Sequence, residues 1–453
     1  MLGSMRRLFV AVVIAHAIGC GEDRPGPTLD DLRQPTGLLV SPEGRWAYVS
    51  NGNWDRGETG GSVIALDLRG LDRATTTTPA AGEPTRAEPC RAKDGRLSCS
   101  ASHMVVPNAG RGVGNAVGNL VLDRPSGQAG VSRLITVQRA PSAIVWFDVT
   151  IDGDGPELDC GATFDGACDE VHTITQALER PEVALPEDPS RIEIDDQGFR
   201  FAYVPHLLGG AISLLALDGE VGPELVDVAT DFYRTDPFEA TEYAGGFGVA
   251  SRPCDLANPP VGSRECTRPV LYTSQRFFPS VRRFAVAPGL DVISPGDESS
   301  LAVVNPESVV SQPYMADLAF EDPTGGVDLL VVQTTPPALL RVDTTVEEDG
   351  DSGDHVIATL PLCEEPNMLA VHRQDGAEPL ALVTCFADGA LAVIGLSSFR
   401  LIQTVTLGAG ANELQVDAAT QRAYVVNTQD DSISVVALDR TNAAFLTEIA
   451  RIE

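Results

Sequence analysis

The chain has 453 residues, 43% of them hydrophobic and rich in Gly and Pro, a globular and turn-rich composition rather than a disordered one. Its 64 acidic side chains against 32 basic ones leave a formal charge of −32, which excludes nucleic acid as a partner because phosphate contacts need clustered Lys and Arg. The acid excess reads as solubility, with divalent or basic partners left open.

The chain opens with Met5-Arg6-Arg7, an apolar stretch from Leu8 to Ile18, and then Gly19-Cys20. That order is a secretory signal. The stretch is about half the length a helix needs to cross a bilayer core, so a permanent transmembrane anchor is not expected. A small residue followed directly by Cys is similar to the bacterial lipobox, and this resemblance implies that Cys20 is acylated and becomes the first mature residue. An ordinary cleaved signal with an unrelated Cys is the alternative. One acyl chain holds a protein only marginally on a membrane; the several chains of a lipoprotein make the anchor stable. No Asp follows Cys20 directly, which favours the outer membrane, on its periplasmic side or at the cell surface. Residues 1–19 are thus read as signal peptide, 20–33 as a polar lipidated tether and 34–453 as the folded domain.

From residue 34 onward one unit recurs. Its first copy is Pro35 to Val40, the turn Ser41-Pro42-Glu43-Gly44, Trp46 to Asn51, a loop, and Ser62 to Asp67; its last runs from Ala411 through Tyr424-Val425-Val426-Asn427 and Ser432 to Asp439. Short apolar runs bounded by Gly, Pro, Asn and Asp are strands. Alignment on the second strand finds seven copies: Tyr48 to Asn51, Ile135 to Gln138, Tyr203 to His206, Tyr272 to Gln275, Leu330 to Gln333, Leu382 to Cys385 and Tyr424 to Asn427. Third strands follow at Val63, Ile144, Ile212, Val281, Leu339, Leu391 and Ile433, and first strands enter at Pro35, Pro189, Pro313, Pro366 and Ala411. Fourth strands are read at Glu224 to Val228, Val356 to Leu360, Leu401 to Leu407 and Leu446 to Ile452.

Four strands per unit and seven units predict an all-β fold, a seven-bladed β-propeller of four-stranded antiparallel blades. Through Tyr48-Val49-Ser50-Asn51 and Tyr424-Val425-Val426-Asn427 the chain resembles the YVTN and NHL class of bacterial propellers. The spacing of successive second-strand ends shrinks from 87 residues (Asn51 to Gln138) to 42 (Cys385 to Asn427), so the earlier blades carry loop insertions. With a first strand at Pro35 and a fourth ending at Ile452, ring closure is expected to rest on packing between blades one and seven, with no strand exchanged between the termini.

Once Cys20 is assigned to lipid, eight of the nine cysteines remain and fall into neighbours: Cys90 with Cys99, Cys160 with Cys168, Cys254 with Cys266, and Cys363 with Cys385. An exported chain sits in an oxidising compartment, so these read as disulfides. Metal thiolates are the alternative, although no Cys-x-x-Cys pair exists.

Asn51, Gln138, His206, Gln275, Gln333, Cys385 and Asn427 end the second strands on one face and are expected to ring a mouth of the central channel, joined by Thr36, Ser190, Asn367 and Asn412. They either contact a ligand or satisfy the turns that follow them. No nucleophile elbow, His-Glu-x-x-His, P-loop or dinucleotide fingerprint occurs, so no catalytic residue is assigned. The acidic run holding Asp349, Asp351 and Asp354 is a calcium candidate whose spacing departs from the EF-hand pattern, and a solvated turn is its other reading. Asp152, Asp154 and Asp165 form a weaker candidate of the same kind. No other cofactor is expected.

The expected function is a non-catalytic binding or scaffold lipoprotein, a monomer that meets a protein or glycan of the cell envelope. The rival is a lactonase-like propeller hydrolase. A mouth joining His206 to Arg191 and carboxylates would favour the enzyme; one plugged by insertions, or lined by Asn, Gln and Ser, would favour binding.

Overall fold

Alternation along the second strands decides how the units stack. In Trp46-Ala47-Tyr48-Val49, Trp46 and Tyr48 join an apolar cluster with Val145 and Phe147, while Ala47 and Val49 join another with Tyr424 and Val426. Each small sheet therefore presents two apolar faces, and each face is buried by a different neighbour. The Tyr of the repeat always looks to the following blade: Tyr48 packs against blade two, Tyr203 against blade four, Tyr272 against blade five and Tyr424 against blade one.

The computed structural model describes residues 24–453 except 78, 80, 126–129, 154, 162–166, 176–183, 196–198, 220, 231, 234–244, 254–268, 277–279, 288–291, 295–299, 303–313, 324 and 346–353. Seven antiparallel sheets form a ring, the seven-bladed β-propeller that the repeat predicts. Blade one is Pro35–Val40, Trp46–Asn51, Gly61–Asp67 and Arg111–Val113. Blade two is Asn115–Asp123, Val131–Ala140 and Ser142–Ile151, with Pro156–Asp159 and Thr173–Ile174 sharing its outer edge. Blade three is Glu193–Ile194, Phe201–Pro205, Ile212–Ala216 and Glu224–Ala229. Blade four is Gly246–Ser251, Val270–Gln275 and Ser280–Ala287, edged by Val292–Ser294 and Ser300–Ala302. Blade five is Tyr314–Phe320, Asp328–Thr335, Ala338–Asp343 and His355–Pro361; blade six is Pro366–His372, Leu380–Cys385, Ala390–Gly395 and Arg400–Thr406. Blade seven is Ala411–Asp417, Arg422–Asn427, Ser432–Ala437 and Glu448–Ile452.

All seven blade junctions carry a hydrogen bond at the same end of the inner strands. Thr36 Oγ1 donates to Val117 O at 2.6 Å, Asn119 Nδ2 to Ile192 O at 2.8 Å, and Ser190 Oγ to Gly246 O at 3.1 Å. Ser274 Oγ donates to Ala316 O, Thr334 Oγ1 to Pro366 O at 2.9 Å, and Asn367 Nδ2 to Asn412 Oδ1 at 2.7 Å. Thr428 Oγ1 then closes the circle on Pro35 O at 2.7 Å. The inner strands therefore run parallel around the axis. We call the end where they begin the upper face and the opposite end the lower face.

Closure differs from the expectation of packing alone. Within the insertion between the third and fourth strands of blade one, Cys90–Lys93 and Arg96–Cys99 form a hairpin, and Arg96–Cys99 pairs in parallel with Glu448–Ile452. Blade seven thus becomes a six-stranded sheet whose outer edge is covered by blade-one sequence. Glu453 N donates to Cys99 O at 2.8 Å and Ala101 N to Glu453 O at 2.9 Å, so the clasp holds the last residue on both sides. An exposed sheet edge would template pairing with other chains, and the hairpin moves that edge out to the short, disulfide-tied strand Cys90–Lys93.

The lead-in to the propeller is docked on blade one from Pro25 on. Thr59 N donates to Pro25 O, Asn51 Nδ2 to Asp31 O, and Arg33 N to Asn51 Oδ1, while Leu32 is buried in the core shared by blades one and seven. From Pro25 on, the segment is part of the fold.

Three disulfides match the expected pairs. Cys90–Cys99, Cys160–Cys168 and Cys363–Cys385 have Cα separations of 3.9, 5.0 and 5.8 Å. The third joins the end of blade five to the second strand of blade six. Cys254 and Cys266 lie outside the described residues, as does Cys20. Disulfides accord with an oxidising, exported environment. Among the described residues no helix is long and apolar enough to cross a membrane.

Candidate functional site

The residues expected to ring a channel mouth share the upper face, and the seven second-strand ends among them are all buried. Asn51 Nδ2 donates to Ser62 Oγ and Asp31 O; Gln138 accepts from Gly114 N and donates to Pro141 O. Gln275 Nε2 donates to Tyr233 O, Gln333 Nε2 to Pro336 O, and Asn427 Nδ2 to Ser432 Oγ and Ser434 Oγ. Each amide is thus bonded to its own blade or an adjoining loop, the use short polar side chains find at strand ends. His206 has Nδ1 at 3.0 Å from Glu187 O and Nε2 at 2.8 Å from Ser213 Oγ. Burial pushes its imidazole down to about 4, leaving it neutral at pH 7. The sixth position, Cys385, is bonded to Cys363.

The groups that occupy the channel come from a different feature. Every inner strand slips by one residue at the same level of its ladder: Pro35 faces Asn51 but Gly37 faces Ser50, Val117 faces Gln138 but Leu120 faces Thr136, and Ala411 faces Asn427 but Leu414 faces Val425. The same step recurs in blades three to six. Such bulges turn a side chain out of the alternation of its strand. Asn119, Phe247, Asp317, Met368 and Glu413 stand at these positions, and Arg191 stands at the equivalent step of blade three.

Blades three and seven are not neighbours, so a contact between them crosses the channel. Arg191 Nη1 lies 2.9 Å from Glu413 Oε2, with Nη2 at 3.3 Å from Oε1 and Met368 Sδ alongside at 2.7 Å. Although burial disfavours its charge, the carboxylates of Glu413 and Asp317 hold the Arg191 guanidinium firmly protonated. Burial pushes the Glu413 carboxyl up, and Asp317 adds to the push. Asp317 is itself engaged, accepting from Leu369 N at 3.0 Å. Beside the pair, Phe247 packs its ring against two guanidinium groups, Arg276 at 4.8 Å and Arg191 at 5.8 Å from its centre. His206 takes no part in this cluster, so the alliance of His206, Arg191 and carboxylates that would favour an enzyme forms only in its Arg191–carboxylate half.

Two cavities open below the cluster. One of about 300 Å³ is lined by Arg191, Glu193, Asp317, Val249, Phe320 and Leu369. The other, about 750 Å³, adjoins it across the consecutive residues Glu193 and Ile194 and is bordered by Asp123, Asp195, Arg200 and Asp417. Arg200 is tied to Asp123 at 2.6 Å and to Asp218 at 3.0 Å. Among the described residues, both cavities open on the lower face, opposite the ring of second-strand ends. A third cavity of about 990 Å³ lies off the axis, between the blade-one insertion and blade two, with Arg69, Arg73, Arg86 and Arg111 in its wall.

Among the described residues no three His, Cys, Asp or Glu side chains gather as metal ligands. Of the calcium candidates, Asp354 accepts from Tyr272 OH at 3.3 Å, whereas Asp349 and Asp351 lie outside the described residues. Asp154 and Asp165 also lie outside them.

No family model matches this chain, and no curated protein matches it. Solved structures do. Kuenenia stuttgartiensis hydrazine synthase superposes with a TM-score of 0.53 at 12% identity, covering 92% of this chain and 98% of that one. A candidate 6-phosphogluconolactonase from Bacteroides fragilis superposes with a TM-score of 0.50 at 12% identity, over 92% of this chain and 96% of that one. At such identities the likeness establishes the propeller fold and carries no chemistry.

Proposed function

We propose that this protein is an exported lipoprotein, held in the outer membrane through Cys20, whose monomeric propeller binds a protein or glycan of the cell envelope without transforming it. One observation carries the reading: the charged centre of the channel is closed on itself, with Arg191 bonded to Glu413 and both nitrogens of His206 engaged elsewhere. A general base or nucleophile needs a reactive atom free to meet substrate. Loops around the lower mouth, including the exposed Pro42 and Ala418, then present the binding surface.

Photo-crosslinking side chains placed at Pro42 and Ala418, and for comparison at the exposed blade-six edge residue Leu401, test this. Adducts with envelope components from the lower-mouth positions alone are expected. Equal labelling from Leu401 would contradict a lower-mouth binding surface. The hydrolase reading draws on one feature, the raised Glu413 carboxyl beside Arg191 at a cavity. Lactone hydrolysis by the purified protein that disappears in Glu413→Gln would replace binding with catalysis.

A further inference from the structure

The first docked residues and the exposed tryptophan lie at one edge of the upper face. Pro25 O accepts from Thr59 N at 3.0 Å, and Thr28 N donates to Glu58 Oε2 at 3.0 Å. The Thr28 carbonyl accepts from Ser62 Oγ, and the Arg33 guanidinium meets Asp55 at 2.7 Å. These contacts fasten residues 25–33 to the loop that joins the second and third strands of blade one. Only five peptide steps separate Cys20 from Pro25, a reach of at most about 18 Å when fully extended.

Trp54 lies in that same loop and is 47% exposed, and Leu29 in the docked segment is 36% exposed. The other two tryptophans, Trp46 and Trp146, are buried at 1% and 4%. An indole half in and half out of water suits the headgroup layer of a bilayer. Charge is not the attraction, because Asp30, Asp31, Asp55 and Glu58 outnumber Arg24, Arg33 and Arg56 in this region.

We propose that the blade-one edge of the upper face docks on the lipid surface, with Trp54 at headgroup depth, so that the lower mouth points away from the membrane. The inference rests on acylation of Cys20. The short reach keeps the propeller against the bilayer, and the indole supplies the contact.

The test uses the full lipidated chain in zwitterionic vesicles whose acyl chains carry bromine, with the acyl mass on Cys20 verified in the same sample. Tryptophan emission is expected to shift to the blue and to lose intensity relative to vesicles without bromine. Both changes should vanish in Trp54→Phe, because the two remaining indoles are buried. A flexible spacer of about 20 residues inserted after Gly21 should weaken the quenching by releasing the propeller from the surface. Acylated protein without quenching, or quenching unchanged by the spacer, overturns the docking alone. A chain with no acyl mass on Cys20 overturns the anchor and the docking with it.

Discussion

Arg191 and Glu413, 222 residues apart in the chain, meet at 2.9 Å across the axis of the propeller. The pair joins blades that share no interface, and it sits largely buried among Asp317, Met368 and Phe247.

Removing one partner leaves the other charge buried and unpaired. Arg191→Met or Glu413→Leu alone is expected to cost about 3–5 kcal/mol in denaturant unfolding. The double variant should recover most of that loss, since an apolar pair of similar volume needs no desolvated charge. A double-mutant cycle measures the coupling, and additive single effects would show that the two side chains act independently.

The clasp gives a second expectation. Cys90–Cys99 ties the hairpin that covers the edge of blade seven and brackets Glu453. Replacing both cysteines with Ala should lower stability by about 2–3 kcal/mol, the entropy of a short closed loop. Hydrogen exchange should rise first along Glu448–Ile452. Unchanged protection there would mean that the strand holds without its cover.

His206 links stability to acid. Burial moves its folded value to about 4 from an ordinary 6.5, so between those values the unfolded chain binds more protons. The stabilisation is complete above about pH 6.5 and is lost as pH falls towards 4, about 3 kcal/mol in all. Burial also lowers His372, which contributes in the same direction. His206→Gln should therefore show a smaller loss of Tm between pH 7 and pH 4 than the native chain, with the remaining slope belonging to other groups. An identical slope would remove His206 as its source.

Gly44 closes the first turn with a φ of +71°, and a Cβ there would stand 2.9 Å from Asp417 Oδ2 of blade seven. Gly44→Ala should destabilise by about 1–2 kcal/mol through backbone strain at the junction where the ring closes. Thermal unfolding measures it; a neutral effect would mean that the turn relaxes freely.

Blade number was legible because Tyr48, Tyr203, Tyr272 and Tyr424 recur at the second strand, where both faces are buried and the apolar signal is strongest. The inner strands of blades two and four, Asn115–Asp123 and Gly246–Ser251, escaped notice because neither enters at a Pro as those of blades one, three, five and six do, and the bulges that all inner strands share, here at Gly118-Asn119 and Phe247-Gly248, blur the alternation a strand is recognised by. The same bulges hid the channel cluster. Arg191 stood out only as a cation near His206, and nothing local to Glu413 says that it crosses to blade three. The clasp was invisible for a related reason, since Arg91, Lys93 and Arg96 make the hairpin read as a polar insertion. Only the Cys90 and Cys99 pair marked it. Fourth strands such as Arg400–Thr406, largely exposed, carry the weakest pattern of all.

The most direct test of the account is the intact mass of the mature chain extracted from the envelope of cells producing the native protein and Cys20→Ser. The account predicts a native polypeptide that begins at Cys20 and carries acyl mass, and a variant that carries none and leaves the membrane fraction. A native chain that begins elsewhere, or begins at Cys20 without lipid, would contradict it.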